Sequence, residues 1–163
     1  MDKELRQQNI ALIRRYYAAL AAGDFEALAD CHSHDVAFNM LGSTPVSGRW
    51  EGKQECFGPL VTDAVLGKLV PGQFAFAKRW RIMSADDSCV VGLMQGGGPA
   101  LNGEQYDQTY CQVFTIGERE TDDGKRRQIT ELHEFYDTAL VERALNNNPS
   151  KKPPTDPQRP FRF

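Results

Sequence analysis

The hydrophobic period of this chain changes at Pro71-Gly72, and that change sets the order of its elements. Upstream, most apolar residues recur at helical spacing. In residues 4–22, Leu5, Ile10, Ile13, Tyr17 and Leu20 form a stripe with Tyr16 beside it, and Arg6, Arg14 and Arg15 occupy the other side. Downstream, Phe74, Phe76, Lys78, Trp80 and Ile82 alternate with Ala75, Ala77, Arg79 and Arg81, which is a strand pattern. Helices that come first, followed by consecutive strands, predict an α+β fold rather than an alternating α/β one. A strongly bent, mostly antiparallel sheet wrapped around the helices would enclose an apolar pocket.

Turn chemistry divides the rest. Gly23 stops the first helix, and Asp24 caps a second from Phe25 to about Cys31. His34-Asp35 turns into an extended segment, residues 36–41. A turn at residues 42–45 leads to a short strand at residues 46–50, which completes a hairpin. Residues 51–66 read as a helix interrupted at Gly58-Pro59, with Gly67 as its stop. Further strands are expected at residues 74–82, 89–95, 105–116 and 126–137. The triple glycine at residues 96–98 opens a flexible loop or a bulged strand end, and residues 117–125 read as a charged hairpin loop. A helical turn or two follows at residues 139–145, ending a single domain over residues 1–145. Residues 146–163 carry five prolines and no period. They read as an extended or disordered tail unless Phe161 and Phe163 dock on a neighbour.

Composition excludes several classes. A formal net charge of -3 over 163 residues, without a basic stripe, argues against nucleic-acid binding. No apolar run approaches the ~20 residues of a membrane span. Residues 1–9 are too polar for a secretory leader, so the cytoplasm is the expected location. The four cysteines are widely spaced and include no Cys-x-x-Cys pair, so they read as buried core thiols. Cys31, His32 and His34, crowded at a helix end, have poor geometry for a shared ion, and no metal site is expected. No Lys-Ser/Thr follows the triple glycine, so it is not a phosphate loop. Nothing implies a cofactor.

Residues 128–138, which span most of the last expected strand, carry Glu131, His133, Glu134 and Asp137 among Ile129, Leu132, Phe135 and Tyr136. Strict alternation sends Ile129, Glu131, His133, Phe135 and Asp137 to one face, and Thr130, Leu132, Glu134 and Tyr136 to the other. Neither face is cleanly polar, so a carboxylate enters apolar surroundings, where its pKa rises toward the range that general acid/base chemistry needs. Read by itself, the stretch fits an edge strand with solvated charges equally well.

The element order and several local strings resemble the NTF2-like superfamily, the cystatin-like α+β cone. Within it the chain is most similar to the SnoaL-like group, which includes ketosteroid isomerases, polyketide cyclases, limonene epoxide hydrolases and phenazine-biosynthesis proteins. The string from Arg15 to Asp24 is similar to the first helix of a ketosteroid isomerase, and Gly42 to Gly48 follows its Gly-Ser-x-Pro-x-x-Gly pattern. Leu132 to Thr138 resembles the last strand of the epoxide hydrolases and phenazine proteins. The resemblance covers roughly residues 5–145. It implies an NTF2-like cone, a small hydrophobic ligand and a homodimer whose sheets pack face to face.

Transferred residue by residue, the resemblance places Tyr16 at the oxyanion-binding tyrosine of the isomerases and Tyr110 near their second oxyanion donor. Their general-base aspartate falls at Met40, which cannot accept a proton. Asn39 and Glu134 match two groups of the epoxide hydrolases, but their Arg-x-Asp pair falls near Met94-Gln95-Gly96. Glu134-Phe135 matches the acid/base step of the phenazine proteins.

Glu134, Tyr110 and Tyr16 are therefore the expected catalytic groups, one carboxyl and two phenols. Asn39, Met40, Trp80, Tyr106, Gln108, Leu132 and Tyr136 are expected to contact substrate. His133 reads as a sheet-packing or interface residue, and Asp137 or Thr138 as the cap of the last helix. The function expected from these residues is acid/base chemistry on a hydrophobic, carbonyl-bearing molecule, as an isomerase, cyclase or dehydratase-like enzyme. The alternative is a non-catalytic binding or dimerisation module of the same fold, and epoxide hydrolysis ranks lower.

Overall fold

The computed structural model describes residues 2–148, so most of the proline-rich tail lies outside the described residues. Helix α1 (Lys3–Ala22) begins at Asp2, whose carboxylate accepts from the backbone N–H of Glu4 and Leu5. It ends at Gly23, whose φ of 68° is the left-handed conformation that glycine adopts without penalty. Its buried face is Asn9, Leu12, Ile13, Tyr16, Tyr17 and Ala19. The expected stripe is thus rotated: Ile13 and Tyr17 lie inside, while Leu5, Ile10 and Leu20 are only partly covered. Asn9 joins the buried face because it is bonded on both sides. It donates to the Asp86 carbonyl at 3.0 Å and accepts from Arg127 at 2.8 Å.

Helix α2 (Phe25–Asp30), capped by Asp24, leads directly into β1 (His32–Met40). The strand starts four residues earlier than the expected extended segment, because His32 pairs with Ile129. After β2 (Gly48–Glu51) comes α3 (Lys53–Glu55), which continues as π-wound helix over Cys56–Val65 and as 3₁₀ over Leu66–Lys68. The expected interruption at Gly58-Pro59 is instead a change of winding. In α geometry the Pro59 ring would meet the carbonyl of Glu55, and the wider π turn relieves that clash. The Thr62 hydroxyl donates to the Phe57 carbonyl, five residues back, at 2.6 Å.

The remaining elements are β3 (Ala75–Ala85), β4 (Cys89–Pro99), β5 (Gln105–Thr121), β6 (Gly124–Phe135) and α4 (Thr138–Leu145), the last capped by Asp137. They form a curved six-stranded sheet in the order β2-β1-β6-β5-β4-β3, antiparallel except where β1 runs parallel to β6. Helices α1 and α2 cover its inner face, as the α+β order predicts.

The charged segment expected to be a loop, and the triple glycine expected to open a flexible loop or a bulged strand end, are both largely strand. The β5–β6 hairpin turns at Asp122-Asp123, and the charges of residues 117–125 pair across it, Lys125 lying 3.4 Å from Glu118. Gly96, Gly97 and Gly98 stay in β4 because neighbouring backbone presses on them. A Cβ on Gly96 would come within 2.5 Å of Phe76 Cα, and one on Gly97 would overlap the Tyr106 carbonyl. Low strand propensity is overridden where only glycine allows that approach.

Strand β6 departs from strict alternation at one residue. Thr115 pairs with Glu131 but Ile116 pairs with Ile129, so Thr130 is an extra residue, a β-bulge. Ile129, expected on the face of Glu131, is fully buried on the inner face beside Leu132.

Candidate active site

Inner-face residues of β1, β4, β5 and β6 meet α1, α2 and the π-wound helix around a cavity of about 90 Å³. Its wall is mostly apolar and includes Leu28, Phe38, Met40, Phe57, Leu60, Phe76, Met94 and Leu132. Among these stand five polar side chains: Tyr16, His32, Tyr110, Gln112 and Glu134. Phe25, Phe57, Val61 and Leu66 line both this cavity and an apolar groove between α2 and the π-wound helix.

Glu134 lies opposite Gln112 on β5 and Met40 on β1. Gln112 is fully buried and bonds three side chains. Its Nε2 donates to Glu134 Oε1 at 2.6 Å and to the Tyr16 hydroxyl at 3.1 Å, and its Oε1 accepts from the Tyr17 hydroxyl at 2.9 Å. Desolvation among apolar residues raises the Glu134 carboxyl to about 7, against the Gln112 hydrogen bond, which favours the charged form. In a protonated carboxyl the carbonyl oxygen is the stronger acceptor for an amide N–H. The exchangeable proton of Glu134 therefore sits on Oε2, not on the oxygen that Gln112 holds.

Burial pushes both cavity phenols well above their ordinary value, so each is a neutral O–H donor. Tyr16 accepts from Gln112 and keeps its own proton available. Tyr110 shares a 3.0 Å hydroxyl contact with Tyr106. His32, also fully buried, has its ring 5.6 Å from that of Tyr16. Burial lowers its pKa to about 4, so it is neutral.

The structure thus brings Glu134, Tyr16, Tyr110, Met40 and Leu132 together at one cavity. The other expected contacts lie elsewhere. Asn39 points to the opposite face, where it donates to Glu131 at 2.9 Å and accepts from Arg49 at 3.1 Å. Period 2 separates it from Met40 and Phe38, and its amide is satisfied by charged groups outside the cavity. Trp80 is 37% exposed and stacks on Tyr17 with ring centroids 4.9 Å apart. Tyr106 is behind Tyr110 and not at the wall. Gln108 grips the backbone of Asp137, donating to its carbonyl and accepting from its N–H, both at 3.0 Å. Tyr136, 6.2 Å from Tyr110 between ring centroids, is not among the lining residues.

Gln112 and His32 are the functional candidates that pattern reading missed. The available signal for Gln112 was an amide between Tyr110 and Phe114 on an inward face. His32 was weighed only as a metal ligand, and that reading was set aside. Among the described residues, no group of three or more His, Cys, Asp or Glu side chains is placed to hold a metal ion. No helix among them is long and apolar enough to cross a membrane.

The SnoaL-like domain family model matches residues 13–129, and the chain belongs to that family. Solved structures share the fold at low identity. A cystatin-like-fold protein of unknown function from Xanthomonas campestris is 24% identical, with 83% of this chain and 95% of that chain covered and a TM-score of 0.62. TerC, co-crystallised with polyporic acid, is 19% identical, with 85% and 98% covered and a TM-score of 0.61. A ketosteroid isomerase-like protein from Erwinia carotovora atroseptica SCRI1043 is 15% identical, with 84% and 99% covered and a TM-score of 0.60. No curated protein matches the sequence. The fold includes isomerases and cyclases.

Proposed function

We propose that this protein is an acid/base enzyme of the isomerase, cyclase or dehydratase type, acting without a cofactor on a small hydrophobic, carbonyl-bearing molecule. One observation carries this reading: a carboxyl group raised to about 7 stands in an apolar cavity, in one hydrogen-bonded cluster with a neutral phenol. A base of that pKa is half ionised near neutral pH, where proton transfer is efficient. Glu134 Oε2 removes a proton from the carbon next to the carbonyl and returns it at another position. Tyr16 and Tyr110 donate to the carbonyl oxygen as it gains negative charge.

Two observations separate this reading from the better-known reactions of the resemblance. Met40 lies across from Glu134 in place of a second carboxylate. Met94 is at the cavity wall, and Gln95 is turned to Thr109 at 3.1 Å, so no Arg-x-Asp network activates a water there. The same absence of a second carboxylate favours the rival, a binding module in which Glu134 is silent. A homodimer belongs to this proposal as well. Val91, Leu93, Cys111 and Val113, with Phe135 at 39% exposure, form an apolar outer sheet face. A monomer that persists at high concentration in sedimentation would count against it.

The test is deuterium exchange at the methyl group of acetophenone in D₂O, followed by NMR. Wild type should accelerate exchange and Glu134→Gln should not. Equal rates with the two proteins would exclude Glu134 as the base.

A further inference from the structure

We propose that His32 Nε2 accepts a hydrogen bond from a hydroxyl group of the bound molecule, so that the cavity takes hydroxylated carbonyl compounds. The inference rests on the acid/base reading only for which end of the ligand reacts.

His32 Nδ1 lies 2.8 Å from the Leu28 carbonyl. A carbonyl can only accept, so Nδ1 carries the proton and Nε2 presents a bare lone pair. That nitrogen is completely buried and has no hydrogen-bond partner among the described residues. Buried polar atoms are nearly always bonded, and an unpaired one is costly. The ring is walled by Tyr16, Phe38 and Phe57, at centroid distances of 5.6, 5.3 and 5.1 Å. All three line the same cavity as His32. The two phenylalanines offer no donor, so the donor must come from the contents of the cavity.

A water molecule is a poor candidate. It needs about 2–4 polar partners, and the surroundings of Nε2 are aromatic. A hydroxyl attached to an apolar body satisfies Nε2 while the body covers the rings. Glu134 reaches Tyr16 through Gln112 at the phenol hydroxyl, whereas His32 meets the Tyr16 ring, with centroids 5.6 Å apart.

The experiment uses phenol and toluene, which differ by a hydroxyl in place of a methyl, with full-length wild type and His32→Phe. Affinities and the imidazole ¹⁵N resonances are read by NMR titration. Because toluene is the more hydrophobic probe, the quantity compared is the ratio of the two affinities. That ratio should move about tenfold toward toluene in His32→Phe, the scale of one net neutral hydrogen bond. In wild type, phenol should shift the His32 Nε2 resonance and toluene should leave it in place, a reading that needs no variant. An unchanged ratio, or an Nε2 resonance that millimolar phenol does not move, overturns the proposal and leaves the ketone-exchange test of Glu134 standing. Loss of that exchange result with the phenol shift intact would do the reverse.

Discussion

Gln112 and Glu134 face each other across β5 and β6, with the Gln112 amide nitrogen 2.6 Å from Glu134 Oε1. That contact opposes the desolvation of Glu134 without cancelling it, which leaves the carboxyl at about 7 instead of higher. Through the same amide the carboxyl is joined to the cavity phenol Tyr16 and to the Tyr17 hydroxyl. The proposed proton acceptor and oxyanion donor are therefore joined through one buried side chain.

The first expected outcome is a pH profile. If Glu134 is the base, kcat/KM for ketone exchange rises with pH through about 7 and levels off above it. Tyr16 and Tyr110 are pushed above 10.0, so neither brings a descending limb at lower pH. Glu134→Gln should lose about 10²–10⁴-fold in rate and the inflection with it. An inflection at pH 7 that survives in the variant belongs to another group.

Stability should move the other way. The folded-state pKa of Glu134 is raised from 4.5 to about 7, so between those values the folded protein keeps a proton that the unfolded chain releases. The stabilisation is complete below 4.5 and lost as pH rises through 7. The loss is at most about 3 kcal/mol, at 1.36 kcal/mol per pKa unit. Urea unfolding at pH 5 and pH 8 should show wild type losing stability relative to Glu134→Gln by up to that amount. A constant difference between the two proteins would show that Glu134 titrates at its ordinary value.

Much of this site follows from alternation alone. Leu132 and Glu134 share a face, and so do Tyr110 and Gln112, because side chains in a strand repeat every two residues. What alternation cannot show is the bulge at Thr130. In a continuous ladder that paired Thr130 with Thr115, Gln112 would oppose His133, and a one-residue slip exchanges the faces of a strand. The hub of the site thus depends on a register that no local pattern encodes. His32 was equally illegible, because its burial comes from pairing with Ile129 nearly a hundred residues away. Asn39 shows the converse: expected to contact substrate, it bonds instead to Glu131 and Arg49 on the outer face.

Gln112→Leu tests the hub directly. It removes the hydrogen bond that favours the ionised carboxyl, so the Glu134 pKa should rise above its wild-type value, read from the ¹³C shift of its carboxyl carbon. It also leaves the Tyr17 hydroxyl, 2.9 Å from Gln112 Oε1 in wild type, without its acceptor. A loss of about 1–3 kcal/mol in stability is expected from an orphaned buried donor. A carboxyl that still titrates at the wild-type value would mean that Gln112 shapes the site without tuning it.

Gly97→Ala asks whether the glycine run of β4 is structural. Gly97 has a φ of 140°, and a Cβ there would overlap the backbone carbonyl of Tyr106 on β5. Neither group can swing aside, so β4 and β5 must separate beside Tyr106 and Tyr110. A loss of about 3 kcal/mol or more in urea unfolding is expected, where backbone strain and overpacking act together. Gly103→Ala is the control: its φ of 86° is also strained, but nothing lies within 4 Å of the added Cβ. That variant should lose only about 1 kcal/mol, the cost of left-handed backbone alone. Similar losses in the two variants would show that the close approach of β4 to β5 contributes nothing beyond the backbone conformation.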